Sequence, residues 1–136
     1  MKKRNRFLVM LLALSFPFAC VGCTPKGEEP ITQISYKQIS QAEAKALMDS
    51  ESGYIIIDAR TQEEYDQGHI PGAILIPEYE IADRAEKELP DKNQLILVYC
   101  RSGRRSKIAA EELVKLGYTN VKEFGGIIDW EYEIVK

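Results

Sequence analysis

A thiol followed by a glycine and three arginines is the part of this chain best equipped for chemistry. The stretch Cys100-Arg101-Ser102-Gly103-Arg104-Arg105-Ser106 lies between an apolar run, Leu95 to Tyr99, and a helical pattern in which Ala109, Ala110, Leu113, Val114 and Leu116 share one face. Gly117 stands where a glycine ends such a helix. The segment reads as strand, short loop and helix, with the thiol at the C-terminal end of the strand. Ligands bind at that edge of open α/β sheets. The amides and dipole of the helix that follows favour an anion there, and a thiolate is one. Helix N-termini and cationic neighbours bring a cysteine pKa from ~8.5 down to ~3.5–7.5. Cys100 is therefore expected to be a nucleophile at neutral pH. A small buried core cysteine needs neither the glycine nor the arginines.

The elements that must position this loop alternate along the chain. Ile34 to Ile39 reads as a short strand. Ser40 to Glu43 is a capping box opening a helix to about Asp49, with Ile39 and Ala44 placed as a hydrophobic staple. Tyr54 to Ile57 is a β-branched buried strand ending at Asp58. Thr61 to Glu64 is a second capping box, and its helix stops at Gly68. Ala73 to Ile76 is a third strand, and Tyr79 to Leu89 is helical up to Pro90. Leu95 to Tyr99 is the fourth strand and Val121 to Phe124 the fifth. Gly125-Gly126 and a short helix around Trp130 close the chain. This alternation predicts an α/β fold: a mostly parallel five-stranded sheet with helices on both faces.

The N-terminus reads as an export signal. Lys2, Lys3, Arg4 and Arg6 form a basic start, and Phe7 to Ala19 is an apolar run of 13 residues. A membrane-spanning helix needs about 20, so the run is a signal rather than a span. Its end, Cys20-Val21-Gly22-Cys23, resembles the bacterial lipoprotein signal. Gly22 and Cys23 fit that pattern, and Cys20 stands where leucine is usual. The resemblance implies a signal peptide over residues 1–22, lipidation of Cys23, and export to the bacterial cell envelope with the lipid as anchor. Residues 23–32, polar and carrying Pro25 and Pro30, read as a tether, which leaves one domain over 33–136. Of the three cysteines only Cys100 then remains as a free thiol. Loss of four basic residues leaves 14 against 21 acidic ones, a net charge near −7. That balance argues against nucleic acid as a partner. The arginines beside Cys100 are a local positive site on an acidic body, suited to a small anion.

Four separated segments resemble the rhodanese-like family. They are Asp58-Ala59-Arg60 after the second strand, Glu64-Tyr65 followed by Gly68-His69-Ile70-Pro71-Gly72-Ala73, the loop Cys100 to Ser106, and Gly125-Gly126 with Asp129-Trp130. The resemblance spans Ile34 to Tyr132 and implies a single-domain sulfurtransferase. In such an enzyme Cys100 attacks the outer sulfur of a donor such as thiosulfate, sulfite leaves, and the persulfide passes its sulfur to cyanide or a thiol. The loop composition suits this. Inward amides hold the charge of thiolate and persulfide, and Gly103 lets the backbone curl. Arg101, Arg104 and Arg105 attract the anionic donor, while Ser102 and Ser106 donate hydrogen bonds or cap the helix. No metal or organic cofactor is required, and one histidine with one free cysteine falls short of a zinc site.

The supporting residues have structural roles in this reading. Asp58 and Arg60 fix loops near the site, Glu64 caps its helix, His69 packs a loop, and Trp130 belongs to the core. Two other classes compete. Phosphatases and arsenate reductases that share this fold use a seven-residue loop from cysteine to arginine. Here Cys100 to Arg105 is six, which favours a sulfur atom over a tetrahedral oxyanion. The second is a partner-dependent relay of persulfide or electrons to a thiol or redox protein.

Overall fold

Ile96–Cys100, buried at all five positions, is the central strand of a parallel sheet. The computed structural model describes residues 35–136. In chain order the strands are β1 (Lys37–Gln38), β2 (Ile55–Asp58), β3 (Ala73–Leu75), β4 (Ile96–Cys100) and β5 (Val121–Gly126). Between and after them come α1 (Gln41–Ser50), α2 (Gln62–Gln67), α3 (Ile81–Glu88) and α4 (Arg104–Lys115), with 3-10 turns at Glu78–Glu80 and Ile127–Asp129. The sheet order is β1-β5-β4-β2-β3, and each pairing between neighbouring strands is parallel. The segment expected to be a signal, with Cys20, the expected lipidation site Cys23, the expected tether and Ile34 lie outside the described residues.

Strand periodicity divides the core in two. Ile96, Val98 and Cys100 of β4 pack with Ile81 and Ala85 of α3 and Ala109, Ala110 and Leu113 of α4. Leu97 and Tyr99 face the other way, onto Ala44 of α1, Ile56, Ile70 and Phe124. Helices therefore cover both faces, as the sequence predicts. Truncating a side chain such as the fully buried Leu113 to alanine costs roughly 2–5 kcal/mol.

Both capping boxes form: Ser40 with Glu43, and Thr61 with Glu64. Three elements differ from expectation. The first strand is only two residues long, because it is an edge strand bonded to β5 alone. The helix expected from Tyr79 begins at Ile81. Before it, Pro77 accepts from the Glu80 N–H at 2.8 Å and Ala59 accepts from the Glu78 N–H at 3.1 Å, so the chain tightens into a 3-10 turn. The closing helix around Trp130 is one 3-10 turn that ends before the tryptophan. Trp130 is half-buried rather than core. Its ring packs on Phe124 and Tyr132, and its Nε1–H needs an acceptor, which it finds in the Glu133 carbonyl at 3.1 Å.

One irregularity matters for function. Val98 pairs with Glu123, but Cys100 pairs with Gly126, so three residues of β5 oppose two of β4. The bulge turns on Gly125, at φ +89°, a conformation that glycine adopts without strain.

Candidate active site

Cys100 is the last residue of β4, and the chain turns back over its sulfur at once. Gly103 takes φ +102° and serves as the N-cap of α4. This left-handed residue aims its own N–H inward, 3.0 Å from Cys100 Sγ. Burial pushes the Cys100 thiol up. Donors outweigh it: the Ser106 hydroxyl and the backbone N–H groups of Ser106, Gly103 and Ser102 favour the thiolate. The net result is a thiol below its ordinary value. The loop thus has the inward amides that the sequence predicts. Cys100 is also only 1% exposed, because the loop closes over it.

The three arginines separate in space. Arg101 and Arg104 are exposed, and neither makes an ion pair among the described residues. Arg105 is half-buried and turned to Glu64, donating Nη1 to Oε2 and Nη2 to Oε1 at 2.7 Å each. Glu64 is thus more than a helix cap: it holds Arg105, in the first turn of α4. The Arg105 guanidinium brings the Glu64 carboxyl down to about 2. Burial opposes the drop, and Thr61 reinforces it through its N–H and hydroxyl. The pairing was not legible from the sequence, where Glu64 and Arg105 stand 41 residues apart. Ser102 is exposed, Gly103 is buried, and Ser106 is fully buried under the loop.

Asp58 and Arg60 form a buried fork behind the site. Arg60 donates Nη2 to Asp58 Oδ2 at 2.6 Å and Nε to Oδ1 at 2.9 Å. Arg60 Nη2 also reaches the Gly68 carbonyl, and the Tyr99 hydroxyl donates to Asp58 Oδ2 at 2.7 Å. The Tyr99 oxygen in turn accepts the Ile70 N–H. This network ties β2, β4 and the segment after α2 together. His69 belongs to the same segment. Its ring stacks on Tyr65 at 3.7 Å, and its backbone bridges to Val135.

Sequence reasoning passed over Glu123. It is 2% exposed on β5 and accepts the Ser106 hydroxyl at 2.6 Å. A glutamate inside the strand Val121–Phe124 was the available signal, since buried charges are rare without partners. Gly126 also has a positional role. A Cβ there would lie 2.1 Å from the Arg101 carbonyl oxygen, so the bare backbone lets β5 pass against the loop.

A cysteine at the C-terminal end of a parallel strand, with a backbone N–H turned to its sulfur, is set in an α/β fold. Residues 40–133 match the rhodanese-like domain, and the chain belongs to that family as an enzyme of the rhodanese type. It is 47% identical over 73 residues to the thiosulfate sulfurtransferase PspE of Escherichia coli, an alignment covering 54% of this chain and 70% of that one. It is 35% identical over 97 residues to the thiosulfate sulfurtransferase GlpE of Coxiella burnetii, covering 71% of this chain and 88% of that one. Among solved structures, a rhodanese of E. coli determined with anions superposes with a TM-score of 0.58 at 43% identity. That match covers 61% of this chain and 98% of the other.

Proposed function

We propose that this enzyme transfers sulfane sulfur from a small anionic donor such as thiosulfate, through a persulfide on Cys100, to cyanide or a thiol. The observation that carries the reading is the Gly103 N–H held 3.0 Å from Cys100 Sγ in a six-residue loop. In the first half-reaction the thiolate attacks the outer sulfur of thiosulfate. The S–S bond of the donor breaks, its electron pair leaves with sulfite, and Cys100 carries –S–S⁻. In the second, cyanide or a thiolate bonds to the terminal sulfur and the Cys100 thiolate leaves. The negative charge stays within reach of the same amides through both steps, so the cradle needs little rearrangement. Arg101 and Arg104, exposed and free of ion pairs among the described residues, are suited to draw in the dianion. The names of the PspE and GlpE relatives support thiosulfate as a donor.

The test is thiocyanate formation from thiosulfate and cyanide, with loss of the product in Cys100→Ser. A donor-treated protein should also gain the mass of one sulfur atom at Cys100. Hydrolysis of an aryl phosphate without thiocyanate formation would reject the reading in favour of a phosphatase.

The N-terminal features add a location to this proposal. With Cys23 lipidated, residues 23–32 tether the domain over 33–136 to the cell envelope, where a thiol acceptor or redox protein meets Cys100. Support comes from the basic start, the 13-residue apolar run and the Gly22-Cys23 pair. The exported protein should partition into detergent, and Cys23→Ala should release it or block maturation. A soluble form cut well before Cys23 would refute the anchor.

A further inference from the structure

Among the described residues five large hydrophobic side chains are exposed, and three of them stand on elements around the Cys100 loop: Tyr79, Ile108 and Ile128. The sheet order puts them there. β5 and β2 flank β4, so the segments held at their ends border the loop. On one side Ile128, in the turn after β5, donates its N–H to the Arg101 carbonyl at 3.2 Å. On the other, the 3-10 turn carrying Tyr79 is pinned just beyond β2, where the Ala59 carbonyl accepts the Glu78 N–H. Ile108 lies one turn into α4, on the same exposed face as Arg104 and Lys107. Arg101, Arg104 and Lys107 are all exposed, and none enters an ion pair among the described residues. Of the acids on these same elements, only Asp129 and Glu111 are exposed.

The cations suit a small anionic donor, but the apolar residues do not. Neither thiosulfate nor cyanide has a use for isoleucines open to water. Single exposed apolar residues are ordinary; gathered at one opening beside unpaired cations, they mark a contact surface. We propose that the mouth of the Cys100 loop is a docking face for an acidic partner protein that presents a cysteine as the sulfur acceptor. Resting on the sulfur-transfer reading, this names the class of acceptor. The whole chain carries a formal net charge of −3, so an acidic partner is repelled by the body and drawn to this cationic face. Cys100 is only 1% exposed. A persulfide sets the reactive sulfur about 2 Å beyond Sγ, where a cysteine on a projecting segment reaches it while its acidic and apolar flanks rest on the rim. The partner's thiolate bonds to the terminal sulfur, the S–S bond to Cys100 breaks, and its electron pair returns to the Cys100 thiolate. The partner leaves as the persulfide.

The test compares acceptors for the full chain loaded with thiosulfate. They are cyanide, glutathione, and two synthetic peptides with one cysteine each, flanked by aspartate and leucine in the first and by lysine and leucine in the second. The acidic peptide should exceed the basic one in kcat/KM by about 10-fold at low ionic strength, with the ratio shrinking in salt. Ile108→Ser with Ile128→Ser should lower kcat/KM for the acidic peptide by about 5–10-fold, as loss of partly buried aliphatic contacts does. Thiocyanate formation with cyanide should stay unchanged in that variant. Lys107→Glu should narrow the ratio between the peptides several-fold. Equal rates for the two peptides overturn the proposal. So does glutathione matching the acidic peptide with no response to the isoleucine substitutions, which makes a small thiol the acceptor. Fluorescence anisotropy of the peptides with serine in place of cysteine reads docking without any sulfur donor. A chain that makes no thiocyanate yet binds the acidic peptide in an isoleucine-dependent way rejects sulfur transfer and leaves the docking face standing. Thiocyanate formation without that binding preference does the reverse.

Discussion

Arg105 and Glu64 face each other as a fork on a carboxylate, with two N–H···O contacts of 2.7 Å beside the Cys100 loop. Glu64 also caps α2 through Thr61, so one carboxylate both starts a helix and holds Arg105. One of the three cations beside Cys100, Arg105, is thus already matched by a negative charge. Glu64→Gln should release it. The expected outcome is a KM for thiosulfate several-fold lower at low ionic strength. The gain should fade toward 1 M salt, where the Debye length is about 3 Å. Initial rates of thiocyanate formation across a salt series check this. A higher KM at low salt would mean that Arg105 acts through the pair rather than despite it.

The same pair makes stability depend on acid. The Glu64 carboxyl falls from an ordinary 4.5 to about 2 on folding, chiefly through Arg105. A lowered pKa means that folding favours the ionised form. The contribution is complete above about pH 4.5 and is lost as the pH drops toward about 2. The pair is partly open to water, so screening limits it to about 1 kcal/mol. Arg105→Gln should be less stable than the parent protein at pH 6 by about that amount, with the gap closing near pH 2. Urea unfolding at both pH values decides the point. A gap that does not change with pH would give the lowered carboxyl another cause.

Asp58 and Arg60 are fully buried and nearly so, respectively, and each is the other's charge partner. Arg60→Ala would leave a bare carboxylate in the core beside the Tyr99 hydroxyl. Breaking such a pair from one side costs about 3–5 kcal/mol. The expected variant has a markedly lower urea midpoint, while its folded fraction alkylates at Cys100 with the parent pH profile. A normal midpoint with an altered alkylation profile would instead move Arg60 into the reaction.

The fold was legible where local rules and burial agree. The apolar runs ending at Asp58 and Cys100 announced inner strands, and both capping boxes marked helix starts that formed as read. The strand, loop and helix around Cys100 were legible because an apolar run, a glycine and an apolar helical face follow one another there. The contacts that tune the site were not. Glu64 meets Arg105 across 41 residues, and Glu123 meets Ser106 across 17, through crossovers that bring β2, β4 and β5 side by side. Such partners depend on sheet order, which periodicity does not specify. Trp130 misled for a related reason. A large aromatic reads as core, yet its indole N–H is satisfied by a carbonyl near the C-terminus at the surface.

Gly126 offers the sharpest test of how the loop is held. Its φ of −129° suits any residue, so no backbone strain demands glycine there. What demands it is space. A Cβ would sit 2.1 Å from the Arg101 carbonyl oxygen and 2.5 Å from Ser102 Cα, both backbone atoms that no rotamer change can move aside. Gly126→Ala must therefore displace either β5 or the loop. Val121 and Phe124 of β5 are buried in the core on opposite faces of the sheet, which opposes movement of the strand, so the loop gives way. The cradle depends on the Gly103 N–H at 3.0 Å from the sulfur, and hydrogen bonds weaken steeply when misaligned. Gly126→Ala should remain folded, raise the pH midpoint of Cys100 alkylation, and lose sulfur transfer by about 10-fold or more, as misplacement by 1 Å commonly does. Circular dichroism, the alkylation profile and thiocyanate rates together check it. Full activity in Gly126→Ala would mean that the loop tolerates displacement and that the inward amides are not what makes Cys100 reactive.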